Sequence, residues 1–369
     1  MHGCSRRFVT LQRDLGTLFV FGWVSGLRTL LVAIGMCCCL SSELSTAQTQ
    51  GIYAEQAFTQ DQSEAELAKG AKQALTGLLQ RLTLETQPSA FESIVAQSDS
   101  LVKRAIFQDS DNLPSQGLRS VLYEFDAQAV TRAVFEAGLG VVPDGRPTPV
   151  LWWAVLDEQL APRFIDRQAD QPVLSALTES LARYDLTMTP PLFDLEDRQQ
   201  LTPEALWRSQ TTSIVRAASR YGSAPQYVIQ WAELSNDQVI ATMSQIKPQG
   251  LVILFERTFS SATTALQAIA AQIATDLRDQ LAVTSDTTSL PLIIFEDLRG
   301  FDEYRMITRA LEGSVFVTSM RVYKLIGREL VLKVDSPVSQ EQLESVLLEL
   351  LPLELVSSDA DELRFEISR

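Results

Sequence analysis

All the histidine and cysteine of this chain lies at its amino-terminal end. The single histidine is His2, and the four cysteines are Cys4, Cys37, Cys38 and Cys39. The chain after position 39 therefore has neither an imidazole nor a thiol. This excludes from it a Ser-His-Asp triad, a Cys-His pair, a zinc site with histidine or cysteine ligands, and a disulfide framework. An active site there could use only carboxylates, serine with lysine, tyrosine, or a metal held by oxygen atoms.

The first 47 residues have the composition of a targeting segment, or signal peptide. Four arginines precede residues 29–40, an uncharged apolar stretch of 12 residues, and Ser45-Thr46-Ala47 offers small residues to a signal peptidase. We therefore expect export to the periplasm and cleavage after Ala47. One alternative is an uncleaved inner-membrane anchor, although 12 residues are few for a bilayer span of about 20. Lipidation of the cysteines in this stretch is a further alternative.

The charge of the remaining chain limits its partners. The sequence has 31 basic and 46 acidic residues, and four arginines and two acids precede Gln48, so 27 basic and 44 acidic residues follow. Such acidity argues against nucleic acid and anionic lipid, both of which require basic patches. The sequence also lacks the motifs G-x-x-x-x-G-K-[ST] and G-x-G-x-x-G. We expect no nucleotide and no cofactor, and membrane contact only through the amino-terminal segment if that segment is not cleaved.

The pattern of helices and strands predicts an α+β (mixed α/β) fold of three small modules in series. The first, an N-terminal α+β domain, spans residues 51–142 and ends at a linker with three prolines. The middle module, residues 150–283, is predicted as βαβαβββα, a mixed sheet covered by helices, with a short strand at 186–189. The last module, residues 290–369, is predicted as βαββαβ plus one extra strand, which is the ferredoxin-like split pattern.

Two tryptophans mark the first strand of the middle module. Residues 150–156 are apolar on both faces, which predicts a strand inside the sheet. Trp152 and Trp153 of this run, with Trp207 and Trp231, could line a groove for a peptide or a glycan. The more usual place for a tryptophan in a strand is the core, and we predict that Trp152 and Trp153 lie there.

The densest group of carboxylates is Asp194-Leu195-Glu196-Asp197, just after the predicted strand at 186–189. Two carboxylates beside a cleft could act as acid and base on a glycoside, or could bind calcium. The simpler interpretation is that Asp194 and Asp197 cap the following helix while Glu196 faces solvent. We therefore assign no catalytic, cofactor-binding or metal-binding residue, and keep Asp194, Glu196 and Asp197 as an alternative site.

The order of several motifs resembles a known family. The motifs that carry the resemblance are Ala71-Lys72-Gln73-Ala74-Leu75, Val150-Leu151-Trp152-Trp153-Ala154-Val155, Asp194-Leu195-Glu196-Asp197 and Arg220-Tyr221-Gly222. Together they resemble the domain-of-unknown-function family 2066 of Gram-negative envelope proteins, over nearly the whole chain after the targeting segment. The middle module also looks like the amino-terminal domain of the translocation protein TolB in its order of elements. The likeness to TolB implies a protein-binding role in the periplasm.

The sequence therefore favours a non-enzymatic periplasmic scaffold or adaptor protein of the cell envelope. Its partner is expected to be another envelope protein, whose identity the sequence does not give. The competing hypothesis is a carboxylate-based hydrolase or calcium-dependent binder centred on Asp194, Glu196 and Asp197.

Overall fold

The computed structural model describes residues 51–108, 118–157, 159–234, 236–285, 292–359 and 362–368. The expected targeting segment, residues 1–47, lies outside the described residues. The chain from Thr49 to Arg369 forms one compact unit. Among the described helices, none is both long enough and apolar enough to cross a membrane.

A mixed α+β fold is confirmed, with three sheets and helices packed on them. The first sheet is antiparallel and has the strand order β1-β3-β2. The elements of this part are β1 (Ala54–Thr59), α1 (Glu64–Thr83), α2 (Glu92–Val95), α3 (Ser98–Leu101), β2 (Val102–Gln108), β3 (Arg119–Phe125) and α4 (Ala127–Glu136). The sequence pattern does not predict β2, because most of its side chains are exposed and no apolar alternation marks it.

The middle sheet has the order β5-β4-β6-β7-β8, in which β4 and β6 are parallel and the other neighbours antiparallel. Its elements are β4 (Val150–Leu156), β5 (Pro162–Phe164), α5 (Gln171–Ala182), α6 (Leu195–Gln200), α7 (Pro203–Trp207), α8 (Thr211–Ala218), β6 (Gln226–Glu233), β7 (Val239–Lys247), β8 (Gly250–Phe259) and α9 (Ala262–Leu281). The prediction of a strand at 186–189 is wrong. Only Thr189 forms a bridge, to Val150, because Pro190 and Pro191 have no N–H with which to continue the ladder.

The middle sheet is covered on both faces, and β4 shows how. Its residues alternate between the core formed with α5 and α9, which Trp153 joins, and the core formed with Leu201, α7 and α8, which Trp152 joins. Both tryptophans are fully buried. The predictions of an internal strand and of core tryptophans are therefore confirmed.

The last sheet differs from the predicted ferredoxin-like arrangement in its strand order, β10-β11-β9-β13-β12. The elements are β9 (Leu292–Glu296), α10 (Phe301–Gly313), β10 (Ser319–Ile326), β11 (Glu329–Asp335), α11 (Gln340–Leu350), β12 (Leu353–Ser358) and β13 (Glu362–Ile367). The extra strand β13 takes the place beside β9 and runs parallel to it, so that β12 is displaced to the edge. The reason is packing: Phe365 of β13 is fully buried and stacks on Phe295 of β9, whereas Leu355 and Val356 of β12 are exposed.

The first and last sheets share one continuous hydrophobic core. The chain segments that leave the first sheet and approach the last one also pair directly, because Val141 and Val283 exchange two backbone hydrogen bonds of 2.9 and 2.8 Å. The modules that the sequence predicts as separate units are thus parts of a single packed structure.

The predicted linker, residues 143–149, is a junction between the modules. The side chain of Arg146 is only 10% exposed. Its Nη1 donates to the carbonyl of Tyr184 (2.7 Å) after α5, and its Nη2 donates to the carbonyl of Arg81 (2.5 Å) in α1. Gly145, at φ +80°, lies against Glu349 of α11, so closely that a Cβ at this position would clash with Oε1. The linker therefore contacts residues of all three modules.

We expect Arg146→Ala to destabilise the protein by about 3 kcal/mol, because it leaves two main-chain carbonyls without their charged donor. The measurement is the free energy of unfolding from urea denaturation. The matched control is Arg167→Ala, which removes an exposed arginine and should change this free energy by less than about 0.5 kcal/mol. Equal effects of the two substitutions would show that the junction does not stabilise the fold.

Candidate functional site

The three carboxylates singled out in the sequence lie at the start of the short helix α6. Asp194 is the N-cap residue, and its Oδ1 accepts a hydrogen bond of 3.1 Å from the backbone N–H of Asp197. This confirms the capping role predicted for Asp194. Glu196 is largely exposed, as predicted, whereas Asp197 is only 2% exposed and its carboxylate does not cap the helix.

Arg220 brings these carboxylates together. It lies in the 3-10 turn Ser219–Tyr221 that follows α8. Two of its nitrogens contact the two oxygens of Asp194, each at 2.7 Å, which is the bidentate geometry that makes such pairs strong. Nη1 also donates to Oδ1 of Asp197 at 3.0 Å, and Nε lies 3.5 Å from Oε2 of Glu196. One guanidinium therefore faces all three acidic side chains.

The buried carboxylate of Asp197 has donors on both of its oxygens. Its Oδ2 accepts from the Tyr221 hydroxyl (2.5 Å) and from the backbone N–H of Phe193 (2.9 Å). The Tyr221 oxygen in turn accepts from the N–H of Leu192 at 2.9 Å. A buried carboxylate is tolerated only when it is paired and hydrogen-bonded in this way. We call the set Asp194, Glu196, Asp197, Arg220 and Tyr221 the Arg220 cluster.

Aromatic contacts fix the Arg220 cluster to the middle sheet. The rings of Tyr221 and Phe193 meet Trp152 of β4 edge to face, with centroids 5.4 and 5.9 Å apart. Phe193 also stacks on Phe164 of β5 at 4.3 Å. Each of these pairs adds to the stability that comes from apolar burial alone. The cluster lies on the face of the middle sheet that the short helices α7 and α8 cover.

The electrostatics of the cluster suit structure better than catalysis. The hydrogen bonds from Arg220, helped by helix amides, lower the pKa of Asp194 to about 2. Burial, with the hydrogen bond to Asp197, raises the pKa of Tyr221 to about 12. Asp194 is thus ionised and Tyr221 protonated at neutral pH, and neither is poised to exchange a proton there. Calcium would need six to eight oxygen ligands. Donors of the chain already contact all four carboxylate oxygens of Asp194 and Asp197.

A second polar group lies on the opposite face of the middle sheet. Oδ2 of Asp276 in α9 accepts from the Tyr227 hydroxyl (2.5 Å), from Gln245 (2.5 Å) and from Gln280 (2.9 Å). Burial and the contact with Asp276 raise the pKa of Tyr227 far above its usual value. This group ties the helix to strands β6 and β7. Among the described residues, no three His, Cys, Asp or Glu side chains are grouped as a metal ion would require.

Arg220 and Tyr221 were missed as partners of the acidic motif. The sequence did contain a signal, since Arg220-Tyr221-Gly222 and Asp194-Leu195-Glu196-Asp197 were both among the motifs of the family resemblance. Their pairing could not be read from spacing, because 26 residues separate Asp194 from Arg220 and the contact depends on the fold.

Comparison with known proteins gives one family. Residues 46–143 match the model of a family described as Domain of unknown function (DUF8605). This range covers the first sheet and less than half of the chain, and the Arg220 cluster lies outside it. No curated protein matches the chain. The resemblance to family 2066 and to TolB stays a prediction.

We expect Asp194→Asn to make stability less dependent on acidic pH. The pKa of Asp194 is lowered from 3.8 to about 2 in the folded protein, so its ionised form stabilises the fold above about pH 4, and this contribution is lost as the pH falls towards 2. Asparagine still caps the helix but carries no charge. The free energy of unfolding should therefore fall less steeply between pH 4 and pH 2 in the variant than in the wild type.

The control is Asp99→Asn, which changes an exposed aspartate and should leave the wild-type slope intact. Parallel pH profiles for the wild type and Asp194→Asn would contradict the structural role of the pair between Asp194 and Arg220.

Proposed function

We propose that the protein is a non-enzymatic scaffold or adaptor of the cell envelope, which acts in the periplasm by binding another protein. Its amino-terminal segment supports export, and its acidity argues against nucleic acid and anionic lipid as partners. The Arg220 cluster, which uses the acidic motif for structure, supports a role without catalysis. If the segment is not cleaved, the same body would work from an anchor in the inner membrane.

The observation that carries this proposal is the exposed edge of the last sheet. Strand β10 is an edge strand, and four of its large apolar side chains are exposed: Val322 (47%), Tyr323 (69%), Leu325 (57%) and Ile326 (58%). Proteins usually shorten, cover, bulge or charge such edges, since an open strand pairs readily with another chain. Strand β10 does carry Arg321, Lys324 and a register shift, yet these four apolar side chains remain exposed. Clustered apolar side chains on a surface commonly mark a protein interface. We call this strand with its exposed side chains the β10 edge.

The experiment is photo-crosslinking of the full-length protein in intact cells, with a photoreactive phenylalanine analogue at position 323. We expect discrete protein adducts from this position. The matched control carries the analogue at Leu195, which is 74% exposed and lies beside the Arg220 cluster, and should give no adduct.

Adducts from position 195 but not from 323 would contradict the proposal, because they would place binding at the acidic motif. Hydrolysis of peptidoglycan, phosphoester or peptide substrates by the purified protein, if Asp194→Asn abolished it, would also contradict the proposal and favour the carboxylate-based hydrolase.

A further inference from the structure

We infer that the β10 edge takes an extended segment of its partner, acidic and apolar in alternation, as a sixth strand of the last sheet. This inference rests on the proposed function and names the chemistry of the partner. It is carried by three independent features of the same surface: the backbone of β10, the groove beside it and the charge along it.

The backbone of β10 is open to a further strand. Within the described residues β10 pairs with β11 and lies at the end of the five-stranded order. An edge strand presents N–H and C=O groups outward at every second residue, and an extended peptide can bind them as a new strand. The register shift between Val322 and Lys324 turns Tyr323 out of the regular ladder, and Tyr323 is the most exposed large apolar residue of the strand.

An apolar groove of about 760 Å³ adjoins this strand. Leu325 lines it from β10, and Phe301 and Tyr304 line it from the start of α10, where their rings stack at 5.7 Å. Leu325 lies opposite Leu330 of β11, which is fully buried, so the groove continues the core-facing side of the sheet. Alternate side chains of an added strand would point to this side and cover the apolar surface.

The charge along β10 is opposite to that of the whole protein. Arg321 and Lys324 are exposed on the strand, with Arg321 opposite the exposed Lys333. Arg321 is 77% exposed and only at the 4.0 Å limit of an ion pair with Asp335. The protein has a net charge of −15. A second copy of the chain would place the basic side chains of two β10 strands together and would bring two acidic proteins together. An acidic segment of a partner instead complements the basic side chains of β10.

The probe is a peptide as long as β10, with blocked ends, in which glutamate alternates with valine. We expect saturable one-to-one binding to the full-length protein by isothermal titration calorimetry, and protection of residues 319–326 from hydrogen exchange. N-methylation of alternate peptide amides should abolish binding, because it removes the donors for strand pairing and keeps the side chains. A peptide with lysine in place of glutamate should not bind.

The variant Arg321→Glu/Lys324→Glu should bind the glutamate peptide at least about fivefold more weakly, as expected for the loss of two exposed charge pairs. The matched control, Lys72→Glu/Lys103→Glu, changes the net charge equally at exposed positions of the first module and should bind as the wild type does. Val322→Thr/Leu325→Thr places β-branched residues, which favour strands, at both positions while it removes apolar surface, and should also weaken binding.

Several outcomes would overturn the inference. Equal binding of the N-methylated peptide would exclude strand addition. If the protein self-associates in sedimentation velocity and Val322→Thr/Leu325→Thr abolishes this, the β10 edge binds a second copy of the chain. If the protein binds phosphatidylglycerol vesicles through Arg321 and Lys324 and does not bind the peptide, the β10 edge contacts a membrane. If the peptides fail but position 323 still crosslinks in cells, the partner chemistry is wrong while the scaffold function stands; failure of both overturns both.

Discussion

The buried guanidinium of Arg146 joins the first and middle modules at the linker between them. It lies in a proline-rich linker, where a side chain is usually solvated, yet it donates to main-chain carbonyls of the first and middle modules. Burying a cation is costly unless acceptors take its N–H groups. The acceptors of Nη1 and Nη2 come from different modules, so this junction forms only when both modules are in place. With Glu349 of the last module packed on Gly145, the linker makes one unit of three sheets.

The Arg220 cluster repeats this use of arginine within one module. In a chain so rich in carboxylates, a cation that gathers Asp194, Glu196 and Asp197 lowers their mutual repulsion and holds short helices on the middle sheet. The acidic motif is then explained by structure. The β10 edge is different, because Arg321 and Lys324 lie exposed beside apolar side chains that the fold does not cover. Binding is therefore best sought at the edge of the last sheet.

The sequence predicted what depends on local pattern. Long helices such as α1 and α9 show one apolar stripe that repeats over many residues, a signal that the sequence alone carries. The N-cap of α6 was predicted because aspartate binds nearby amides. Short elements such as α7 and β5 hold too few residues to show a period. The order of β12 and β13 depends on which strand supplies an aromatic ring to Phe295, and the partner of the acidic motif depends on a contact across the fold. Both are properties of tertiary packing.

We infer that Arg220 and backbone amides already satisfy the acidic motif, so that it is a structural element and not a site for a cation. Isothermal titration of calcium into the protein, with its Tm measured alongside, tests this most directly. We expect no saturable heat and no change in Tm, since the oxygens of Asp194 and Asp197 are in contact with donors of the chain. Saturable one-site binding that raises the Tm and is abolished by Asp194→Asn would contradict it.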